Sequence, residues 1–274
     1  MVGSVSFNKS LSPQKKYGQN FLISPAVAER IVNAAELGSN ETVLEIGPGK
    51  GVLTALMTDR CRKVWAVEID PRLVETLTTM FGQNEKIKIV NHDILQYDLD
   101  EMIKESDRPF RVVANLPYNI TVPILEKLID CRQHIASIIV MVQKEMAERL
   151  SAKPGSKDYG SLSVFVQYHL KVEKLFNVLP GSFFPKPKIT SSVIKLTPHK
   201  NPPVTLEGEA DFFNFVRLCF SQRRKMLRSV LKQHNKWEVI GNRISDEVDL
   251  TRRAETMNLS EFVKLYNIFK ADQR

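Results

Sequence analysis

The segment NLPYNI, at residues 115–120, combines an amide, a carbonyl next to a proline, and an aromatic ring directly after an apolar run. It contains no His, Glu or Asp, so ordinary acid–base catalysis is not the chemistry that it suits. The side-chain oxygen of Asn115 and the carbonyl of Leu116 offer two acceptors for the N–H bonds of an amine. Acceptors aimed at those bonds favour a pyramidal amine, whose localised lone pair can attack an electrophilic carbon.

Pro117 and Tyr118 suit the same task. Pro117 restricts the backbone of Leu116 and has no competing N–H, and Tyr118 presents a ring face on which a base can stack. An amine held in this way needs no charged base beforehand, because it becomes acidic only as it gains the new carbon. The alternative is an ordinary strand-to-turn junction, in which Asn and Pro are common turn formers.

A glycine-rich turn, VLEIGPGKGVLT, places Gly47, Gly49 and Gly51 after one predicted strand and before a predicted helix. Glycines there let the backbone turn tightly and let a ligand come close to it. The spacing is GxGxG and not the GxGxxG of dinucleotide-binding proteins, because Val52 stands where the third glycine would be. The turn predicts ligand contacts at Gly47 and Gly49 and argues against a nicotinamide cofactor.

Three polar residues close the next predicted strands. Glu68 ends KVWAVEI, where a carboxylate can accept both hydroxyl protons of a ribose, and Asp93 in NHDIL can accept from an adenine amino group. Asn115 closes the strand that follows. Ligands of an open α/β sheet lie outside the carboxyl ends of its strands, so these residues and Gly47 are expected to share one crevice. The set matches the adenine, ribose and amino-acid parts of S-adenosylmethionine.

A second aromatic pair lies in SFFPKPKITSS, a stiff and basic segment. A base flipped out of a nucleic acid can lie between Tyr118 and Phe183, with Lys186 and Lys188 near its phosphates. In the alternative interpretation, Phe183 and Phe184 belong to the hydrophobic core. The residues alone leave both interpretations open.

The segment SQRRKMLRSVLK carries five basic residues in twelve. Apolar residues recur around it at intervals of four or seven, so a helix can pack one face and present Arg224, Arg228 and Lys232 on another. A solvated charged face is the alternative. As a functional surface, the segment predicts nucleic-acid backbone contacts that orient the substrate without reading its sequence. The residues expected to make them are Arg223, Arg224, Arg228 and Lys232.

The elements that position these residues follow an α/β pattern. Pro25 to Leu37 has helical spacing, with Ser24 as the N-cap. Short apolar strands alternate with helical stretches at 42–46, 63–69, 87–91, 111–115 and 137–143, which predicts a doubly wound, Rossmann-like parallel sheet. Further strands predicted in SLSVFVQYHLKVEKLFNVL and SSVIKLTPH would add a β-hairpin that closes the sheet.

A linker divides the chain. HKNPPV, residues 199–204, has adjacent prolines that prevent regular structure, and the periodicity after Asp211 is helical. We therefore expect a cofactor-binding catalytic domain at 1–203, with an N-terminal arm at 1–23, and a small all-α domain that contacts nucleic acid at 204–274.

Length and composition exclude several classes of protein. With 274 residues, 43% of them apolar, the chain is not expected to be disordered. Its three cysteines are far apart and lack a CxxC pair, which argues against a disulfide framework and a zinc site, so no metal is expected. No apolar run reaches the roughly 18 residues of a membrane span, and we expect a cytoplasmic protein without membrane contact.

The net charge of +8 is unevenly distributed, with −1 over residues 1–143, +6 over 144–203 and +3 over 204–274. Such an excess suits a polyanionic partner, because Lys and Arg displace condensed counterions from phosphates. A basic surface without a partner is the alternative that charge alone leaves open.

Ten segments together resemble the ribosomal RNA adenine dimethyltransferases, over nearly the whole chain. They are YGQNFL, EIGPGKGVLT, VEID, HDIL, NLPYNI, MVQKEMAERL, YGSLSV, FFPKPK, QRRKMLRSVLK and RAETMNLSEF. Within the family, NLPYNI and the QRRK segment are most similar to the bacterial small-subunit (16S rRNA) group, whose loss confers kasugamycin resistance. The resemblance implies a Rossmann-like methyltransferase that uses S-adenosyl-L-methionine.

The resemblance also implies residue roles. Cofactor contacts fall on Asn20, Leu22, Gly47, Glu68, Asp93 and Asn115. The target adenine falls to Asn115, Leu116, Tyr118 and Phe183, with Pro117 in the same motif. The implied reaction puts two methyl groups on N6 of each of two adjacent adenosines, in the loop of the last 16S rRNA helix of an immature 30S subunit. We expect the protein to act as a monomer.

Two other functions stay open at this point. One is an assembly factor that binds the immature subunit and whose catalysis is incidental. The other is a nucleotide-dependent oxidoreductase, which Val52 argues against.

Overall fold

The computed structural model of the chain describes residues 11–233 and 247–271. These residues divide into two compact units, one within Met1–Ala147 and Glu173–Pro198, the other within Glu148–Val172 and His199–Arg274. The second unit takes residues 148–172 in addition to the C-terminal segment, whereas the sequence analysis placed a single division at residue 203. Each unit has a hydrophobic core of its own.

The larger sheet has seven strands in the order β4-β3-β2-β5-β6-β9-β7. They are β2 (Thr42–Ile46), β3 (Lys63–Glu68), β4 (Ile87–Asn91), β5 (Phe110–Asn115), β6 (Ile135–Gln143), β7 (Leu170–Val178) and β9 (Ser191–Pro198). Strands β2 to β6 pair in parallel, and β9 pairs with β6 antiparallel. The predicted Rossmann-like α/β sheet is confirmed, with β9 and β7 as the added strands.

Five helices connect the parallel strands or precede them. They are α1 (Pro25–Ala34), α2 (Val52–Thr58), α3 (Pro71–Phe81), α4 (Asp100–Glu105) and α5 (Thr121–Asp130). The Ser24 hydroxyl caps α1 by accepting the Val27 N–H at 3.4 Å. Helix α1 ends at Ala34, earlier than predicted, and Glu36 then takes a left-handed φ of 52°.

The N-terminal arm forms a two-stranded ribbon with a distant segment. Strand β1 (Phe21–Leu22) pairs antiparallel with β8 (Phe183–Phe184). The segment that was predicted to supply a second aromatic ring is therefore attached to the arm.

The second unit is mainly helical in its described part. It contains α7 (Ser161–His169), α8 (Glu209–Cys219), α9 (Leu227–Leu231) and a last helix (Leu259–Ala271), while α6 (Lys144–Leu150) leads into it. Its core is rich in aromatic side chains, and Phe212 and Phe262 are completely buried. None of the described helices combines the length and apolar character needed to cross a bilayer.

Two sequence predictions of secondary structure are wrong. Ser161–His169 forms a helix and not a strand. The basic segment is not one helix, because α8 ends at Cys219, residues 221–224 form a turn, and α9 begins at Leu227. The backbone N–H groups of Leu227 and Arg228 donate to the carbonyls of Arg252 and Leu250, both at 2.9 Å. Arg224 therefore does not share a helical face with Arg228. Residues 234–246 of the predicted helical region lie outside the described residues.

Candidate active site

A cleft opens at the carboxyl ends of the parallel strands, where the strand order reverses between β2 and β5. Its open volume is about 950 Å³, and its lining belongs entirely to the first unit. The residues predicted to close successive strands all line it: Gly47, Glu68, Asp93 and Asn115. The parallel sheet thus brings to one place side chains that are far apart in sequence.

The glycine turn forms the floor of the cleft. Gly47, Gly49 and Gly51 have φ values of 67°, 59° and 78°, a left-handed conformation that favours glycine. A Cβ on Gly51 would lie 2.8 Å from Cε2 of Phe81, so packing also requires a glycine there. A Cβ on Gly47 would meet nothing within 4 Å. Gly47 therefore leaves open space on the cleft side, as a cradle for a ligand must.

The Glu68 carboxylate is held between the glycine turn and the start of α3. Oε2 accepts the Gly49 N–H at 3.1 Å and Oε1 accepts the Asp70 N–H at 2.9 Å. Burial raises the pKa of Glu68, and these backbone donors oppose the shift. Each carboxylate oxygen can accept a further hydrogen bond, which makes Glu68 a fixed acceptor for ligand hydroxyl groups.

Asp93 lies two residues beyond β4. One carboxylate oxygen accepts the Leu95 N–H at 2.9 Å and so fixes the side chain in its turn. The side chain is half-buried and lines the cleft. Its second oxygen has no hydrogen-bond donor among the described residues, so it can accept from a ligand.

Two acceptors at the end of β5 also have no donor within the described parts of the chain. Asn115 donates through Nδ2 to the Asn20 carbonyl at 3.0 Å, and this bond leaves the amide oxygen free. The Leu116 carbonyl likewise receives no hydrogen bond, whereas the Pro117 carbonyl accepts the Thr121 hydroxyl at 3.1 Å. The two oxygens predicted to polarise an amine are thus the two that remain available.

Tyr118 lines the cleft in a short 3₁₀ turn, Tyr118–Ile120. Its hydroxyl lies 2.7 Å from the Ser191 hydroxyl at the start of β9. Burial raises the pKa of Tyr118, and the hydrogen bond with Ser191 opposes that rise. Ser191 is completely buried, so it can hold the phenol ring in one orientation. No motif or spacing in the sequence pointed to Ser191.

The arm closes one side of the cleft. Asn20 and Leu22, the predicted arm contacts, both line it. Gln19 also lines it and donates to the Asp70 carboxylate at 2.9 Å, and Arg72 pairs with the same carboxylate at 2.7 Å. The Arg72 hydrogen bonds lower the pKa of Asp70. No spacing rule pointed to Gln19, whereas Asp70 before a helix-starting proline is an N-cap signal.

Glu45 is a further acid in the cleft lining that the sequence analysis missed. It is 1% exposed in β2, and its carboxylate accepts the Thr54 hydroxyl at 2.6 Å. Burial, opposed by the Thr54 hydrogen bond and aided by the neighbouring Glu68 charge, raises the pKa of Glu45 to about 8. An acid inside a fully buried strand gives no signal in the hydrophobic pattern.

Phe183 lies in the hydrophobic core of the first unit and outside the lining of the cleft. Its side chain is 2% exposed. The neighbouring Phe184 is 56% exposed. Of the two interpretations of this segment, the structure supports core packing for Phe183, and its assignment as a stacking ring stays a prediction.

The predicted nucleic-acid contacts differ in availability. Lys186, Lys188, Arg224 and Arg228 are exposed, and their charged groups have no hydrogen-bond or ion-pair partner in the described ranges. Arg223 is engaged within its unit, because it donates to the carbonyls of Lys157 and Tyr159 and pairs with Glu255 at 3.6 Å. Lys232 is exposed at the end of α9.

Comparison with known proteins adds independent findings. A family described as "Ribosomal RNA adenine dimethylase" matches residues 11–271. A "Ribosomal RNA small subunit methyltransferase A" from Geobacillus thermodenitrificans is 43% identical over 274 residues, which cover 96% of this chain and 90% of that protein. The protein of the same name from Lachnoclostridium phytofermentans is 41% identical over 263 residues, covering 93% and 91%.

Two solved structures share the fold over almost the whole chain. A dimethyladenosine transferase from Plasmodium falciparum has a TM-score of 0.77 and 26% identity, covering 92% of this chain and 98% of that one. The 23S rRNA methyltransferase ErmE has a TM-score of 0.71 and 26% identity, covering 91% and 99%. The relatives therefore share both the α/β region and the helical region.

Proposed function

The chain belongs to the ribosomal RNA adenine dimethylase family, and we propose that it transfers methyl groups from S-adenosyl-L-methionine to N6 of adenosines in small-subunit ribosomal RNA. The observation that carries the proposal is the pair of free oxygens, Asn115 Oδ1 and the Leu116 carbonyl, at the cleft that Gly47, Glu68 and Asp93 line. The two oxygens that can accept the N–H groups of an amine thus lie in the same cleft as the residues that can hold a nucleoside.

The cleft residues fit the proposed cofactor. Gly47 leaves space for it, Glu68 accepts from the ribose hydroxyls and Asp93 accepts from the adenine amino group. Asn20 and Leu22 cover it from the arm. When bound, S-adenosyl-L-methionine supplies a methyl group on a positively charged sulfur.

The chain's own contribution to the reaction is positioning and polarisation. The target adenine stacks on Tyr118, and its N6 hydrogens are accepted by Asn115 Oδ1 and the Leu116 carbonyl. These contacts localise the nitrogen lone pair toward the methyl carbon. Transfer would form the N–C bond as the S–CH3 bond breaks and leave S-adenosylhomocysteine. The nitrogen is then acidic and would give its N6 proton to solvent, so no charged base has to lie beside it.

The substrate proposal follows the names of the relatives. We propose that two adjacent adenosines in the loop of the last 16S rRNA helix each receive two methyl groups, on an immature 30S subunit and by a monomeric enzyme. Arg224, Arg228 and Lys232 of the helical unit would contact the RNA backbone, and the positive charge of that part of the chain supports this role.

The test uses small subunits from cells that lack these methyl groups. Purified protein and methyl-labelled S-adenosyl-L-methionine should label them, and mass spectrometry should locate the label on N6 of the two adenosines. Asn115→Ala should lower the transfer rate on the order of 10²-fold, as loss of one polarising contact does elsewhere. The control Asn33→Ala removes an exposed amide outside the cleft, bonded to Arg60, and should transfer normally. Absence of label with the wild-type protein would contradict the proposal.

A further inference from the structure

The two-stranded ribbon of β1 and β8 places its four side chains on two opposite faces. Phe21 lies opposite Phe184 and Leu22 lies opposite Phe183 in the antiparallel register. Directly opposite residues point to the same face of a ribbon, and successive residues point to opposite faces. Leu22 and Phe183 face the core, where they are 6% and 2% exposed. Phe21 and Phe184 therefore share the other face.

That other face borders the cleft. Phe21 lines it, and a Cβ on Gly49 would lie 3.2 Å from the Phe21 ring. Ile23, which donates its N–H to the Ser182 carbonyl at 2.8 Å, extends the ribbon by one residue on the Phe21 side. Ile23 and Phe184 are 54% and 56% exposed. Neither side chain lines the cleft itself, but both lie on the ribbon face of Phe21, which does, so two large apolar side chains are exposed to solvent beside the cleft.

The charge around these exposed side chains is positive. Residues 179–190 contain Lys186 and Lys188 and no acidic residue. Both lysines are exposed, and their ammonium groups have no hydrogen-bond or ion-pair partner in the part of the chain that the structure describes. Two prolines, at 185 and 187, restrict the backbone that carries them. An exposed ring beside unpaired cations is the combination with which proteins bind single-stranded nucleic acid.

We propose that Phe184 is a stacking platform for the RNA base next to the adenosine held at Tyr118 and Asn115, with Lys186 and Lys188 at the flanking phosphates. The inference rests on the proposed function. A base that leaves its stack to enter the cleft exposes a face of its neighbour, and an aromatic ring beside the cleft replaces the lost contact. An RNA strand fits better than an apolar peptide because the ring is flanked by cations.

The test compares steady-state methyl transfer to unmethylated small subunits by four variants. Phe184→Ala should raise KM for the subunit by about 5- to 150-fold, which corresponds to the ~1 to 3 kcal/mol of base stacking, with kcat changed little. Phe184→Tyr should restore KM because the ring is kept, and Phe184→Leu should restore it only in part. Leu179→Ala, which removes a side chain that is 70% exposed in the same unit, should behave as wild type.

Calorimetric binding of S-adenosylhomocysteine should be the same in all four variants, which separates stacking from damage to the cofactor site through Phe21. A wild-type KM in Phe184→Ala, or full rescue by leucine, would overturn the inference. These outcomes require an active wild-type protein, so they are distinct from failure of the proposed function, in which wild type itself labels nothing.

Discussion

Replacing Gly47 by alanine tests the assignment of the cradle most directly. The left-handed φ of 67° makes a Cβ unfavourable at this position, by about 1–2 kcal/mol for an L-residue. No protein atom lies within 4 Å of that Cβ, so it adds no clash within the protein. The loss of stability should therefore be the backbone contribution alone, about 1–2 kcal/mol.

The effect on the cofactor should be separate and larger. If the cofactor occupies the open space, the added methyl group overfills a fitted site, which typically costs about 1–3 kcal/mol. That corresponds to an increase of about 5- to 150-fold in Kd. Isothermal titration with S-adenosylhomocysteine measures Kd, and thermal denaturation followed by circular dichroism reports the change in stability.

Gly155→Ala is the matched control. Gly155 has a φ of 84°, a Cβ there would also meet nothing within 4 Å, and the residue does not line the cleft. Both variants should lose similar stability, and only Gly47→Ala should lose affinity. If Gly47→Ala bound S-adenosylhomocysteine as tightly as wild type, the cradle assignment would be refuted, because the added Cβ would then not contact the bound cofactor.

Three further outcomes are expected. Ser191→Ala should slow methyl transfer about fivefold, because loss of a hydrogen bond worth ~1 kcal/mol releases the Tyr118 ring, and should leave S-adenosylhomocysteine affinity unchanged in calorimetry. Because the pKa of Glu45 is raised to about 8 from an ordinary 4.5, the folded state keeps a proton that the unfolded state loses between these pH values. The free energy of unfolding therefore falls as the pH rises, by up to about 1.4 kcal/mol per pH unit from Glu45. Glu45→Gln should make this fall less steep in denaturation experiments from pH 5 to 8. Arg228→Ala should weaken RNA binding and reduce the salt slope by about one, measured by binding titrations at several salt concentrations.

Each of these expectations has a control or an opposing result. Ser192 is as buried as Ser191 but bonds to Asn177 at 2.7 Å, so Ser192→Ala should keep the transfer rate; equal slowing in both would remove the positioning role of Ser191. If the free energy of unfolding changed with pH in the same way in wild type and in Glu45→Gln, the raised pKa of Glu45 would be refuted. Arg108→Ala makes the same charge change just before the amino end of β5, at the opposite end of the strands from the cleft. An equal loss of salt slope in that variant would exclude a specific contact at Arg228.

The strands of the parallel sheet and the residues at their ends were predictable from the sequence. A strand buried on both faces is a mainly apolar run, and those of β2 and β5 end next to Gly47 and at Asn115, although each contains one charged residue, Glu45 or Arg111. Both signals are local. The rule that ligands bind at the carboxyl ends then placed these residues in one cleft, which the structure bears out in its lining.

Helix and strand were confused where local signals conflict. Ser161–His169 is rich in β-branched and aromatic residues, such as Val164, Phe165 and Val166, which favour strands. Val164 and Tyr168 instead pack with Phe212 in the aromatic core of the second unit, and this packing overrides the local preference. The continued periodicity of the basic segment predicts one helix, whereas α9 begins where the carbonyls of Leu250 and Arg252 accept its first N–H groups.

The tertiary structure alone decided which aromatic ring faces the solvent. Phe183 and Phe184 are adjacent and chemically identical, so no local property distinguishes them. Pairing with Phe21 and Leu22, at the other end of the first unit's sequence, sets the register that turns Phe183 inward and Phe184 outward. The chain composition and strand ends thus determined the chemistry of the cleft. Which side chains are exposed beside the cleft depended on the pairing of β1 with β8, two segments that only folding brings together. The register of this pair sets the direction of each side chain.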